Sequence, residues 1–171
     1  NGHTGFPYHF PYEQTGPNGE WLEYDAVCTY KEQSENMLQE DEDYPFYLTT
    51  GRVAHYHHTT LRNAPYSREL MPVPDCRINP RDAEKLGIEH GDWVRLWSRR
   101  GETRGRAYLT EGVRPGVVMM ERFYFPESFD ETQKNPSGGW RQCNVNLMAR
   151  DDVVNPNFAS ASWRGYRINI E

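Results

Sequence analysis

Hydrophobic and polar positions alternate in short runs through the second three-quarters of the chain, and those runs predict strands. Phe46-Tyr47-Leu48-Thr49 is a β-favouring run, and Gly51 suits the turn that ends it. From Trp93 to Ser98, Val94 and Leu96 share one face while Trp93, Arg95 and Trp97 share the other. With Arg99-Arg100-Gly101-Glu102 as the loop, Thr103 to Thr110 returns as a partner strand and completes a hairpin. Gly112-Val113-Arg114-Pro115-Gly116 turns the chain into a further strand, Val117 to Met120, and Tyr166 to Ile170 alternates as the last. The clearest helix has Asn79 as N-cap, Pro80 at its first position, Asp82 in its first turn, Ala83 and Leu86 on one face and Gly87 as its stop. Asn63-Ala64-Pro65-Tyr66 breaks the segment between, and Glu69-Leu70-Met71-Pro72-Val73-Pro74 is too proline-rich for a central strand. Residues 121–160 are aromatic, Asn-rich and loop-like. Short strands with one short helix predict a mainly β fold, and a closed barrel disposes of the sheet edges.

The first part of the chain lacks such periodicity. Residues 1–24 mix proline, glycine and aromatic residues and read as an extended, turn-rich arm, while residues 31–43 are polar and acidic like a solvated linker. This predicts an arm and linker over 1–43 and one folded domain over 44–171. With 171 residues and 36% hydrophobic content, the chain suffices for one domain with a core. A net charge of -6 excludes general attraction to nucleic acid or to an anionic membrane, so any bound anion must be met by a local group. Cys28, Cys76 and Cys143 form no CxxC, which argues against an iron–sulfur site, a zinc ribbon or a disulfide framework in this chain. No apolar run reaches about 18 residues, and the start lacks the layout of a signal peptide, so a soluble chain without membrane contact or targeting segment is expected. Its opening without Met points to a processed product or a piece of a longer polypeptide, whose compartment is then specified elsewhere.

Candidate chemistry concentrates in Thr49-Thr50-Gly51-Arg52-Val53-Ala54-His55-Tyr56-His57-His58-Thr59-Thr60. A strand ends there in a loop with hydroxyls, a guanidinium and imidazoles, all donors to an anion. The plain alternative makes Gly51 a turn residue and Arg52 a surface charge. His55, His57 and His58 also invite a metal reading, but no Cys or carboxylate joins them at useful spacing to complete a ligand set. Asp82 and Asp92 are assigned to capping and turns, and Trp93 and Trp97 to the barrel surface or a domain interface. Nothing resembles a nucleophile elbow or a paired catalytic base.

Several of these signals recur in a known order: Thr50-Gly51-Arg52 and the His-rich loop; Ile78-Asn79-Pro80-x-Asp82-Ala83-x-x-Leu86-Gly87-Ile88-x-x-Gly91-Asp92-x-Val94; Ser98-x-x-Gly101; and Val113-x-Pro115-Gly116-Val117-Val118. The set resembles the molybdopterin dinucleotide-binding domain that closes the C-terminal end of the dimethyl sulfoxide reductase family of molybdenum and tungsten oxidoreductases. The resemblance implies a double-psi β-barrel with short helices and long peripheral loops. It also implies a role in binding and orienting bis(molybdopterin guanine dinucleotide), with Mo or W held mainly by other domains.

The equivalents of Thr50, Gly51, Arg52, His57, His58 and Thr59 then run beside the phosphates and guanosine. A late asparagine, Asn144 or Asn146, lies near the cofactor, and Arg164 stands where the family often carries Lys. Ser98 is preferred over Arg99 and Arg100 as a phosphate or guanine contact from the hairpin. The implied partners are the remaining catalytic domains or subunits, with any iron–sulfur clusters, so no complete catalytic centre is expected here. A separate small dinucleotide-binding subunit, like that of formylmethanofuran dehydrogenases, is one alternative. A double-psi barrel that recognises a peptide or partner without cofactor is the other, and it assigns no role to Thr50-Gly51-Arg52 or Arg164.

Overall fold

The alternation over Trp93–Trp97 becomes a strand in which Val94 and Leu96 are buried and Trp93 and Arg95 face outward. Asp75–Ile78 and Glu102–Leu109 alternate in the same way. A computed structural model describes residues 40–58, 60–62, 64–121, 143–149 and 165–171. Six strands, β1 (Phe46–Gly51), β2 (Asp75–Ile78), β3 (Trp93–Trp97), β4 (Glu102–Leu109), β5 (Val117–Glu121) and β6 (Tyr166–Ile170), close into a barrel in the order β1-β5-β2-β4-β3-β6. β1 runs parallel to β5, from Tyr47 opposite Val117 to Gly51 opposite Glu121, and β2 runs parallel to β4. β6 is antiparallel to both β1 and β3, with Leu48 opposite Tyr166 and Leu96 opposite Ile170. This connectivity is that of a double-psi β-barrel, so β1, β3 and β5 all leave the sheet at one rim.

The interior is filled by inward side chains of all six strands, among them Leu48, Ile78, Leu96, Ala107, Val118, Met120 and Ile168. Each large aliphatic side chain so buried contributes about 1.5–3 kcal/mol. Every residue of β6 except Asn169 is buried.

Besides a short 3-10 helix at Val145–Met148, two elements escape the sequence pattern. β2 is only four residues long and follows the proline-rich run directly, so its alternation is too short to register. The prolines precede the ladder instead of interrupting it: the Pro74 carbonyl accepts from Arg106 N at 2.9 Å, while Asp75 to Ile78 pair with β4. The break at Pro65 is likewise a helix start. α1 (Pro65–Leu70) places that proline in its first turn, where a missing N–H costs little.

α2 (Pro80–Leu86) has the expected caps, with Asn79 Oδ1 accepting from Arg81 N at 3.0 Å and Gly87 in the left-handed region at φ 69°. Its buried face differs from the pattern, since Asp82 and Ala83 turn inward and Leu86 is exposed. Asp82 does more than cap: its Oδ2 accepts from Gly116 N at 2.6 Å, and Asn79 Nδ2 donates to the Val113 carbonyl at 2.7 Å. Asn79-Pro80-x-Asp82 and Val113-x-Pro115-Gly116 are therefore the two halves of one clasp. It joins α2 to the turn before β5, at the rim opposite the end of β1.

At the other rim the β3–β4 turn carries a short 3-10 helix, Val145–Met148. Ser98 Oγ donates to the Met148 carbonyl at 3.2 Å and Arg100 Nε donates to the same oxygen at 3.0 Å. Tyr166 Oη donates to the Val145 carbonyl at 3.1 Å, and Val145 and Met148 are buried in the core. Backbone meets backbone here, because a Cβ added at Gly101 would lie 2.4 Å from the Leu147 carbonyl oxygen. Gly101→Ala must therefore push the 3-10 helix outward. Its expected cost is about 1–3 kcal/mol, read as a lower thermal unfolding midpoint; an unchanged midpoint would contradict the close approach.

Candidate functional site

β1 delivers Thr50, Gly51 and Arg52 in succession to the rim where β5 also ends. Thr50 is buried, opposite Met120, and Gly51 lies opposite Glu121. An ideal Cβ at Gly51 would lie 1.8 Å from the terminal methyl of Met119, so a larger residue there requires that flexible side chain to swing aside. Arg52 follows with its side chain exposed at the barrel mouth.

The loop after Arg52 is anchored from below. Tyr56 and Met71 form a small apolar cluster with Val53, separate from the barrel core. The Tyr56 hydroxyl donates to the Met71 carbonyl and, at 3.3 Å, to that of Ser67, which ties the loop to α1; burial also pushes its pKa up. Arg62 is buried against Glu121 at 2.9 Å, with both side chains at most 6% exposed, and its guanidinium lies over the Tyr56 ring at 4.5 Å. Removing one partner of such a buried pair typically costs about 3–5 kcal/mol, because the other charge is stranded.

Above this base the histidines divide. His57 is exposed, and its carbonyl accepts from both the amide and the hydroxyl of Thr60. His58 is half-buried in the left-handed region at φ 53°, an uncommon conformation for a residue with a Cβ, and its ring meets that of His57 edge to face. His55 was read from the sequence only as part of the cluster, yet it carries a distinct signal. Its Nδ1 is buried and has no hydrogen-bond partner among the described residues. That signal is a matter of tertiary burial and could not be read from spacing.

The other expected site residues distribute unevenly. Asn144 caps the 3-10 helix, its Oδ1 accepting from Asn146 N at 3.0 Å, while Asn146 itself is exposed. The helix and the β1 exit share a rim, since Tyr166 holds Val145 and is the register partner of Leu48. Ser98 reaches that rim too, but it is buried: its hydroxyl donates to Met148 and accepts from Arg100 N at 3.1 Å. Thr59 and Arg164 lie outside the described residues, as do the arm residues 1–39 and Cys28. Of the linker end, Asp41 pairs with Arg99 at 2.8 Å, which together with a bond from Tyr44 N holds its carboxyl below the usual range.

The remaining chemistry-bearing groups are placed elsewhere. Cys76 and Cys143 are buried free thiols, the latter pushed up to about 12 by desolvation. No group of three His, Cys, Asp or Glu stands together at metal-binding geometry among the described residues. No described helix is long and apolar enough to cross a membrane. Trp93 is exposed on the outer barrel face beneath the guanidiniums of Arg104 and Arg106, and Arg95 lies over Trp97.

Residues 46–156 match the family model described as "Molydopterin dinucleotide binding domain". The chain is 35% identical over 131 residues to a dopamine dehydroxylase of Eggerthella lenta, which spans 75% of this chain and 12% of that protein. It is 48% identical over 90 residues to the F420-dependent formate dehydrogenase subunit alpha of Methanocaldococcus jannaschii, 52% of this chain and 13% of that one. This chain therefore corresponds to a small fraction of either relative. Among solved structures, acetylene hydratase from Pelobacter acetylenicus superposes with a TM-score of 0.71 at 20% identity, over 86% of this chain and 21% of that one, a likeness of fold.

One carboxylate links the loop to the sheet electrostatically. Asp75 opens β2; burial raises its pKa, while Arg77, His55 and His90 act the other way. A raised acid supports the folded state below its ordinary value of 3.8, and that support is lost as pH rises through the folded value. Asp75→Asn removes the dependence. The thermal midpoint of the variant should gain on the parent between about pH 4 and pH 7; a gap that stays flat across that range would contradict the assignment.

Proposed function

The chain belongs to the molybdopterin dinucleotide-binding domain family, and on that premise we propose that it binds and orients the guanine dinucleotide arm of a bis(molybdopterin guanine dinucleotide) cofactor. It does so as one domain or small subunit of a larger molybdenum or tungsten oxidoreductase. The metal and any iron–sulfur clusters are held mainly by the other domains or subunits. The observation that carries this reading is the β1 rim, where exposed Arg52 and a buried Nδ1 of His55 with no partner among the described residues share a loop that holds His58 and Leu61 in the left-handed region.

These residues fit a dinucleotide. A pyrophosphate favours a guanidinium that makes paired charge-assisted bonds, together with imidazole, hydroxyl and main-chain N–H donors. Arg52, His57, His58 and Thr59 supply them, with Thr50 and Gly51 setting where the loop begins. Arg164, which the family resemblance puts where a basic residue is often carried, is assigned as a further cation for the phosphates. Asn146, exposed, is assigned to the guanine edge. Asn144 and Ser98 then act as supports, the first by capping the 3-10 helix and the second by holding its last carbonyl. When bound, the pterin cofactor supplies the redox chemistry of its metal. This chain contributes binding, orientation and shielding of the dinucleotide from water.

Arg52→Ala in the intact assembly tests the reading. Loss of a charge-assisted contact worth about 1.5–3 kcal/mol should lower cofactor retention by about tenfold or more, measured as molybdenum or tungsten and as guanine nucleotide released on denaturation. The same metal analysis decides between the two metals. Because Arg52 is exposed, the thermal midpoint of the cofactor-free protein should be unchanged. Full metal and nucleotide content in the variant would overturn the proposal.

A further inference from the structure

Arg62 lies outside every motif that marked the site, yet three structures converge on its side chain. Its Nη2 donates to Glu121 Oε1 at 2.9 Å, its Nε donates to the His58 carbonyl at 3.1 Å, and its guanidinium covers the Tyr56 ring. Glu121 is the register partner of Gly51. The loop therefore leaves the sheet at Gly51 and returns, through Arg62, to the residue beside Gly51. Both of its ends are fixed at one point of the β5 terminus.

The conformation between those ends needs such a hold. His58 and Leu61 both lie in the left-handed region, at φ 53° and 68°, and Leu61 is exposed, so packing on its side chain does not secure it. Arg62 grips the carbonyl of the first of these residues and immediately follows the second. Its charge has a second effect. Glu121 is buried where the loop emerges, and without Arg62 its carboxylate would face the region that has to accept phosphate.

We propose that Arg62 is a positioning residue for the anion-binding loop, with Glu121 as its anchor, and that the pair sets the directions of His57, His58 and Arg52 before any ligand arrives. The purpose assigned to the loop rests on the dinucleotide reading above; the geometry of the brace does not. Lysine cannot replace the arginine, because a single ammonium lacks the planar fork that serves Glu121 and His58 together while stacking on Tyr56.

The test compares Arg62→Met, Arg62→Lys, Glu121→Gln and the double variant Arg62→Met/Glu121→Gln in the full-length protein. Backbone hydrogen exchange is read on cofactor-stripped protein in peptides covering 51–61 and, as the reference, 93–97 and 166–170. Cofactor retention is then read on the holoprotein. In Arg62→Met/Glu121→Gln, which removes the contact without stranding a buried charge, exchange in the loop should speed by at least about tenfold while the barrel peptides stay within about twofold. Arg62→Lys, which keeps the charge beside Glu121 and so protects the fold, should still speed the loop. The double variant should be no looser than Arg62→Met, since both changes remove one contact. Cofactor retention should fall in the order of loop exchange.

Unchanged loop exchange in Arg62→Met and Arg62→Lys overturns the proposal, as does equal acceleration of loop and barrel in the double variant, which would mark a merely structural pair. A loosened loop with undiminished cofactor retention overturns it too. The two readings fail separately: Arg52→Ala losing cofactor while Arg62→Met leaves the loop tight removes the brace alone, whereas a loosened loop with Arg52→Ala fully loaded removes the dinucleotide reading.

Discussion

Closure of the sheet by β6 is the constraint on which the rest of this domain depends. A six-stranded sheet left open would expose two ladders of N–H and carbonyl groups. Here the last strand satisfies both edges at once, pairing with β1 through Leu48 and Tyr166 and with β3 through Leu96 and Ile170. Because β6 is antiparallel to each, β1 and β3 must run the same way, and the parallel pairing of β1 with β5 adds a third strand in that direction. Three strand exits consequently share one rim. Residues as distant in sequence as Gly51, Ser98 and Glu121 are brought to one end of the barrel by strand direction.

The two rims divide their work. At one, Asn79 and Asp82 clasp the backbone of Val113 and Gly116 through short bonds, the first buried and the second partly so. Those residues make the sequence recognisable, yet their task is to hold α2 against the start of β5. At the other rim the groups fall into supports and exposed donors. Ser98, Asn144, Tyr56 and Arg62 spend their polar atoms on the protein itself. Arg52, His57 and Asn146 extend outward from that framework. An acidic chain that is to hold an anion must concentrate its donors in this way, because its net charge of -6 offers no general attraction.

Buried charge follows the same economy. The guanidinium of Arg62 neutralises Glu121 beneath the loop, while the aromatic faces of Trp93 and Trp97 carry arginines on the outer wall. The inner pair is dry and geometrically specific. The outer contacts are wet and individually weak, worth about 0.5–1 kcal/mol at exposed sites. Sequence position alone does not distinguish these arginines; the difference lies in which of them the fold removes from water.

Local rules were legible wherever they are strictly local. Alternation marked β3 and β6, a β-favouring run marked β1, and the turns beside them marked β4 and β5, because each of these signals lies in neighbouring residues. Asn79, Pro80 and Gly87 marked the ends of α2, because caps act within a turn of the backbone. β2 and the 3-10 helix were illegible: four residues are too few to show a period, and Val145–Met148 is held by Ser98, Arg100 and Tyr166 from other parts of the chain. The candidate loop was legible in composition and opaque in role. Thr50-Gly51-Arg52 and the histidines announced an anion-friendly segment. The buried Nδ1 of His55, the division between Asn144 as cap and Asn146 as exposed side chain, and the anchoring of the loop by Arg62 on Glu121 all arise from residues that meet only when the barrel closes. Sequence alone determined the strands, the helix caps and the donors available at the β1 exit, since these depend on neighbouring residues. Tertiary structure decided which donors are spent on the fold and which remain for a ligand, since that depends on burial and on partners far along the chain.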